Sequence, residues 1–314
     1  MGRPLACRDD TDAPPPVGEL VRCELRSIEG EHYLLFRPEN PDDRKGPIVF
    51  VHGYSRRAHA QAGKLRSLCA MSGRTLIAPL FSAATHPRYQ RLGYGACGRR
   101  ADAVLIACLE DAEQRTGCRV DDVVLIGYSG GAQFAHRFAM AHPQRLLTVI
   151  AVAAGWYTLP VPHLRYPGGL QATGRSRDMT FNPEHFLRVP MHVIVGAEDT
   201  GTRNLRMSSE LNRTQGSTRV ERARRWVATM RLAAESFSLP PRISYREIPG
   251  MGHSFSRFVA EGMLLTLIGA TLEDAPGNVG PIDAAGDIAE HPLHFPPRQH
   301  LPPAAIERAA HEQI

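Results

Sequence analysis

The sequence predicts an α/β protein with a mostly parallel central sheet of about eight strands, helices on both faces and a short irregular cap. Three observations carry this. Brief apolar runs bounded by Gly or Pro recur along the chain, as strands buried on both faces of a parallel sheet require. Segments with helical apolar spacing lie between them, and such alternation implies right-handed parallel connections. The first two runs flank a short turn and would open the sheet as an antiparallel edge.

In order, residues 21–28 and 32–37 read as strands around Glu29-Gly30, and residues 48–51 end in His52-Gly53. Residues 75–78 are stopped by Pro79, and Ala101, Val104, Leu105, Cys108 and Leu109 make a helical stripe. The strand at 123–126 ends at Gly127 and precedes a helical stretch over 132–141 that stops at His142-Pro143. Strands at 146–152 and 191–195 follow. Val220, Ala223, Val227, Met230, Ala234 and Phe237 then form a second stripe, with Arg222, Arg224, Arg225 and Arg231 mostly off that face. Residues 243–248 form the last strand, stopped by Pro249-Gly250, and 254–268 a final helix. Residues 1–20 and 273–314 are expected as low-complexity tails around one domain over 21–272, in which 155–189 forms a cap or pocket loop.

Of the 314 residues, 43% are hydrophobic and 22% charged, as in an ordinary globular protein. No apolar run approaches the ~18 residues of a membrane span, so no membrane partner is expected. Residues 1–20 lack an apolar signal region, which predicts a cytoplasmic protein. The six cysteines lie in the first half without Cys-x-x-Cys pairing and read as reduced thiols. The net charge of +5 is carried almost wholly by arginine, since the only lysines are Lys45 and Lys64. These arginines are dispersed, and the densest run, 219–231, reads as a solvated helix face. No nucleic-acid partner is therefore expected. His291 and His294 have metal-like spacing but no evident ligand partners, so no metal is expected.

The chemistry centres on Gly127-Tyr128-Ser129-Gly130-Gly131. The motif alone recurs by chance, but here a strand runs directly into it and a helix directly out, the setting a nucleophile elbow requires. Its glycines permit a strained serine backbone and close strand–helix approach. Ser129 Oγ would then stand at a helix N-terminus that favours an oxyanion. A serine hydroxyl needs a base, and His253 follows the last strand at the same sheet edge. His136 and His142 lie on or after the elbow helix and would point away, and His52 belongs to another loop. Asp199, after the strand at 191–195, would orient the imidazole; Glu198 is adjacent, and the Gly-x-x-Asp placement favours Asp199. The oxyanion donors would be the backbone N–H groups of Gly130 and of Tyr54 in the loop after residue 51. No cofactor is needed.

On these pieces, in the order Ser129, Asp199, His253, the chain resembles the α/β-hydrolase superfamily over roughly residues 20–270. More narrowly, residues 127–156 and the arginine-rich helix after Asp199 resemble a bacterial branch related to feruloyl esterases and polyhydroxyalkanoate depolymerases. Many members of that branch are secreted, so their substrates are not carried over.

Trp156 and Tyr157, with Tyr128, are expected in the substrate pocket, and the loop over 81–100 adds His86, Tyr89 and Tyr94 near the same edge. Arg88, Arg91 and Arg165 are candidates to meet an anionic group. The leading expectation is hydrolysis of a small-molecule carboxylic ester through an acyl-enzyme. Thioesterase and amidase or peptidase activities use the same apparatus, and a catalytically silent binding protein is the alternative outside enzymes. Oligomeric state is not legible.

Overall fold

The computed structural model describes residues 15–260. Its eight strands are β1 (Leu20–Glu24), β2 (His32–Phe36), β3 (Ile48–Val51), β4 (Leu76–Pro79), β5 (Val123–Tyr128), β6 (Leu146–Val152), β7 (Met191–Gly196) and β8 (Ile243–Ile248). They form one sheet in the order β1-β2-β4-β3-β5-β6-β7-β8. β1 pairs antiparallel with β2 and β2 with β4, and every later pairing is parallel. The loops leaving β3, β5, β6, β7 and β8 therefore share one edge of the sheet.

The helices are α1 (Ala58–Ala62), α2 (Arg66–Ser72), α3 (Ala101–Thr116), α4 (Gly130–Ala141), α5 (Pro183–Phe186), α6 (Ser209–Gln215), α7 (Arg219–Ser236) and α8 (Phe255–Ala260). The expected final helix beyond residue 260 and the expected C-terminal tail lie outside the described residues.

Strand alternation splits the core in two. Val49, Val51 and Leu125 pack with α3, α4 and α7 on one face, including Leu105, Phe134 and Trp226. Ile48, Phe50, Val124 and Ile126 pack with α1, α2 and α8 on the other, including Ala62, Leu68 and Phe255. Continuous apolar runs are what strands covered on both sides need.

Three of the departures from expectation have a visible cause. β1 stops at Glu24, because Leu25 N donates to Glu31 O and Ile28 N to Leu25 O, a turn that replaces the ladder while keeping both side chains buried. β5 runs on through Gly127 and Tyr128, which stay in register with Ala151 and Val152 of β6. Residues 155–161, read as the start of a surface cap, are all buried. They are pinned there by side chains: Trp226 Nε1 donates to Thr158 O at 2.8 Å, and the Gln215 amide bonds both the N–H and the C=O of Tyr157. Only beyond them does the segment reach the surface.

The arginine-rich helix α7 is capped by Thr218, whose hydroxyl accepts from Glu221 N, while Glu221 accepts from Ser217 N. Its arginines do not all face water. Arg222 is fully buried, donating from Nε to Gly216 O, from Nη1 to Gly155 O and from Nη2 to Asn212 Oδ1. Burial, then repulsion from Arg219, pushes its pKa down to about 10. Carbonyl dipoles satisfy this charge where no carboxylate does.

Three histidines are buried in neutral form. His136 is held on both ring nitrogens, Nδ1 donating to Ala132 O at 2.9 Å and Nε2 accepting from Thr158 N at 3.0 Å, and burial holds its pKa well below the usual imidazole value. Burial likewise lowers His52 and His86 to about 4. Between about pH 6.5 and 4 the unfolded chain takes up protons that these rings refuse when folded. Stability is therefore expected to fall as pH drops through that window, by up to about 2 kcal/mol per ring at pH 5. A melting temperature that stays level or rises between pH 7 and 5 would contradict this.

Candidate active site

The segment leaving β5 sets the site. Ser129 has φ +53° and ψ −108°, a conformation that L-residues adopt only when their surroundings enforce it. The enforcement is visible: Ser129 N donates to Val152 O at 2.8 Å, and Gln133 N donates to Ser129 O at 3.1 Å. Helix α4 then leaves so close to β3 that a Cβ on Gly131 would sit 1.8 Å from Val51 O, and one on Gly127 would sit 2.2 Å from Gly131 O. No side chain fits at either glycine.

Beside this turn, the loop after β3 brings Tyr54 N close to Gly130, at 3.2 Å from where a Gly130 Cβ would stand. Among the described residues neither Tyr54 N nor Gly130 N donates to another backbone group. The loop is braced from below. Gln61 Oε1 accepts from Gly53 N at 3.1 Å, Tyr89 Oη donates to His52 O at 2.8 Å, and Arg56 donates to the carbonyls of Phe81 and His86. Tyr89 stacks on Phe81 with ring centroids 5.3 Å apart.

His253, after β8, lies with Nε2 at 3.1 Å from Ser129 Oγ and Nδ1 at 2.6 Å from Asp199 Oδ2. Asp199 is buried and its other oxygen accepts from Arg219 Nη1 at 3.0 Å. Arg219 also donates to Gly201 O and Arg203 O, so the first residue of α7 ties the loop after β7 to the carboxylate. The sequence places this residue on a solvated helix face, whereas it is buried. It begins a run of arginines with nothing in its spacing to separate a buried guanidinium from its solvated neighbours. The adjacent Glu198 makes no comparable contact with His253.

The three expected pocket aromatics are all buried. Tyr128 is 6% exposed and stacks beneath the His253 ring at 5.1 Å, holding the imidazole from the opposite core. Tyr157 has no exposed surface and stacks on Trp226 at 4.5 Å, so it belongs to the core and not to a pocket wall. Trp156 is 6% exposed and covered by arginines. Tyr54, 64% exposed, is the aromatic that stands open beside the site. Of the histidines set aside, His136 is enclosed as described and His142 bonds Asp102 at 2.8 Å.

Glu31, His86 and Cys97 bring potential metal-ligand atoms within 4.8 Å of one another. His86 offers Nδ1 to Glu31 at 3.5 Å and Nε2 to Cys97 at 3.9 Å. The ring thus bridges its neighbours through different nitrogens, an arrangement that suits an internal hydrogen-bond network better than a shared ion. Cys23, Cys69, Cys108 and Cys118 are buried free thiols, and Cys97 a partly buried one.

No protein-family model matches the chain, and no curated protein matches it by sequence. Solved structures do match. LpqC, a poly(3-hydroxybutyrate) depolymerase from Bordetella parapertussis, superposes with a TM-score of 0.69 at 24% identity, covering 83% of this chain and 96% of that one. The chain has the α/β-hydrolase fold. Poly(aspartic acid) hydrolase-1 from Sphingomonas sp. KT-1 gives 0.68 at 21% identity, over 81% and 98% of the two chains. The fluorophosphonate-binding serine hydrolase FphF of Staphylococcus aureus gives 0.52 at 11%, over 82% and 100%. No helix among the described residues is long and apolar enough to cross a membrane.

Removing Arg219 leaves the buried Asp199 carboxylate with His253 alone. Arg219→Ala is expected to cost about 3 kcal/mol, the low end for breaking a buried ion pair. Urea denaturation measures it; a loss below about 0.5 kcal/mol, the size of a surface change, would deny the pair its structural weight.

Proposed function

We propose that this chain is a serine hydrolase that cleaves a carboxylic ester through an acyl-enzyme, with Ser129, His253 and Asp199 as its triad. The observation that carries the reading is the continuous hydrogen-bonded path from Ser129 Oγ through His253 to Asp199, ending beside two undonated amides.

In this reading His253 Nε2 takes the Ser129 proton as Oγ attacks the ester carbonyl. Asp199 keeps the other ring nitrogen protonated and stabilises the imidazolium. The carbonyl oxygen becomes an oxyanion between Tyr54 N–H and Gly130 N–H, where each preorganised donor is worth about 3 kcal/mol in such enzymes. His253 returns the proton to the departing alkoxide, and a water activated by the same ring then releases the acid and regenerates Ser129. The α/β-hydrolase neighbours, among them a depolymerase of a polyester and a serine hydrolase, support hydrolysis on this fold. Thioester and amide hydrolysis would use the same three residues and the same proton transfers; ester is taken first because the neighbour LpqC is a depolymerase of a polyester.

Ser129→Ala is expected to abolish p-nitrophenyl ester turnover, by at least about 10⁴-fold, together with labelling by a fluorophosphonate probe. Equal turnover by wild type and variant would leave a silent binding protein; labelling that survives the substitution would place the nucleophile elsewhere. A p-nitrophenyl chain-length series run beside a thioester and an anilide decides among the acyl-transfer activities.

The four buried thiols suit a reducing compartment, and we propose the cytoplasm. Recovery of the native protein outside the cell membrane on fractionation would overturn that.

A further inference from the structure

Trp156 gathers three guanidinium groups from three parts of the chain. Arg137 of α4 lies 4.3 Å from the ring centroid, Arg206 of the loop after β7 5.4 Å, and Arg91 of the segment after β4 5.6 Å. Arg137 is fully buried, Arg91 half-buried and Arg206 exposed. Arg137 donates from Nε to Thr158 Oγ1 and from Nη1 to the carbonyls of Gln90 and Gln133. Its Nη2 has no protein acceptor, and neither has the buried Nε of Arg91. Burial pushes the Arg137 pKa down to about 9; Tyr166 acts to raise it, and Arg91 and Arg206 add repulsion.

Stacking does not account for this. A guanidinium over an indole gains about 0.5–2 kcal/mol, while an uncompensated buried charge costs several. Arg219 meets a carboxylate, although its Nε also lacks an acceptor, and Arg222 bonds two carbonyls and an amide oxygen. Arg137 has two carbonyls and a hydroxyl but no carboxylate, and its Nη2 stays without an acceptor. An oxyanion with two acceptor atoms would supply the partners that Arg137 Nη2 and Arg91 Nε lack, with exposed Arg206 on the same indole.

The cluster borders the active site. Gly155, directly before Trp156, packs on Gln133, and Gln133 N bonds Ser129 O. Arg137 lies eight residues beyond Ser129 on the same helix, about 12 Å along its axis. We propose that Arg91, Arg137 and Arg206, arrayed on Trp156, form a subsite for a carboxylate carried by the ester substrate, on the order of 10 Å from the scissile carbonyl. The substrate class is thus a half-ester of a dicarboxylic acid, or an oligomer with a carboxylate end; this rests on the hydrolase reading above.

The test has a binding arm and a kinetic arm. Suberate, an eight-carbon dicarboxylate, is titrated by calorimetry at low salt into wild type and into Arg206→Gln, with Trp fluorescence followed in parallel. Saturable binding is expected to weaken about tenfold in the variant, an ordinary value for one charge-assisted contact. In the kinetic arm, kcat/KM for mono-p-nitrophenyl suberate over that for p-nitrophenyl octanoate is expected to exceed about ten in wild type and to collapse towards one in Arg206→Gln and Arg91→Gln. Suberate binding lost in the variant supports the subsite even where no ester is turned over, a result that would fail the hydrolase reading instead. No saturable binding, equal binding by the variant, or a wild-type ratio near one overturns the subsite, while octanoate turnover still judges the hydrolase.

Discussion

The closeness of α4 to β3 governs the site. Because Gly131 lets the helix backbone rest against Val51 O, the chain must reverse within one residue after β5, and that residue is Ser129 at φ +53°. The reversal lifts Oγ out of the sheet, turns Gly130 N to the side on which Tyr54 N stands, and fixes where an imidazole must arrive. A wider helix–sheet spacing would relax the serine and separate the two amides together. The strain and the polar geometry are one feature.

Around that fixed point the chain handles buried positive charge in three ways. Arg219 neutralises Asp199 and so lets a carboxylate sit dry behind an exposed imidazole. Arg222 is satisfied by carbonyls from two loops and works as a staple. Arg137 is left with a donor to spare beside two like charges. Arginine serves all three because its planar fork keeps its charge while bonding in several directions. With lysine scarce, the composition itself favours this kind of interior.

What was legible in the sequence was whatever depends on short range. Apolar runs ended by glycine gave the parallel strands, since burial on both faces leaves no alternation to read. Ser129, Asp199 and His253 could be drawn to one sheet edge because each follows such a run within a few residues, and the structure brings the three into hydrogen-bonded contact. Side-chain direction was less accessible. Trp156 and Tyr157 follow β6 like pocket residues, yet the α7 indole of Trp226 and the Gln215 amide draw Tyr157 inward. Arg219 and Arg222 looked solvated because a helical stripe counts apolar residues and is blind to a guanidinium whose partners come from distant loops. Tyr89 was placed near the right edge, but its role beneath His52 depends on a contact across the fold.

Tyr89 has a wider consequence. Its hydroxyl holds the main chain of His52, and its phenol end lies against Gly130, next to Tyr54 N. The floor of the site is thereby built from backbone atoms propped by one buried phenol, whereas the walls come from loops with other attachments. Such a division makes the shape of the floor independent of the length and sequence of the surrounding loops.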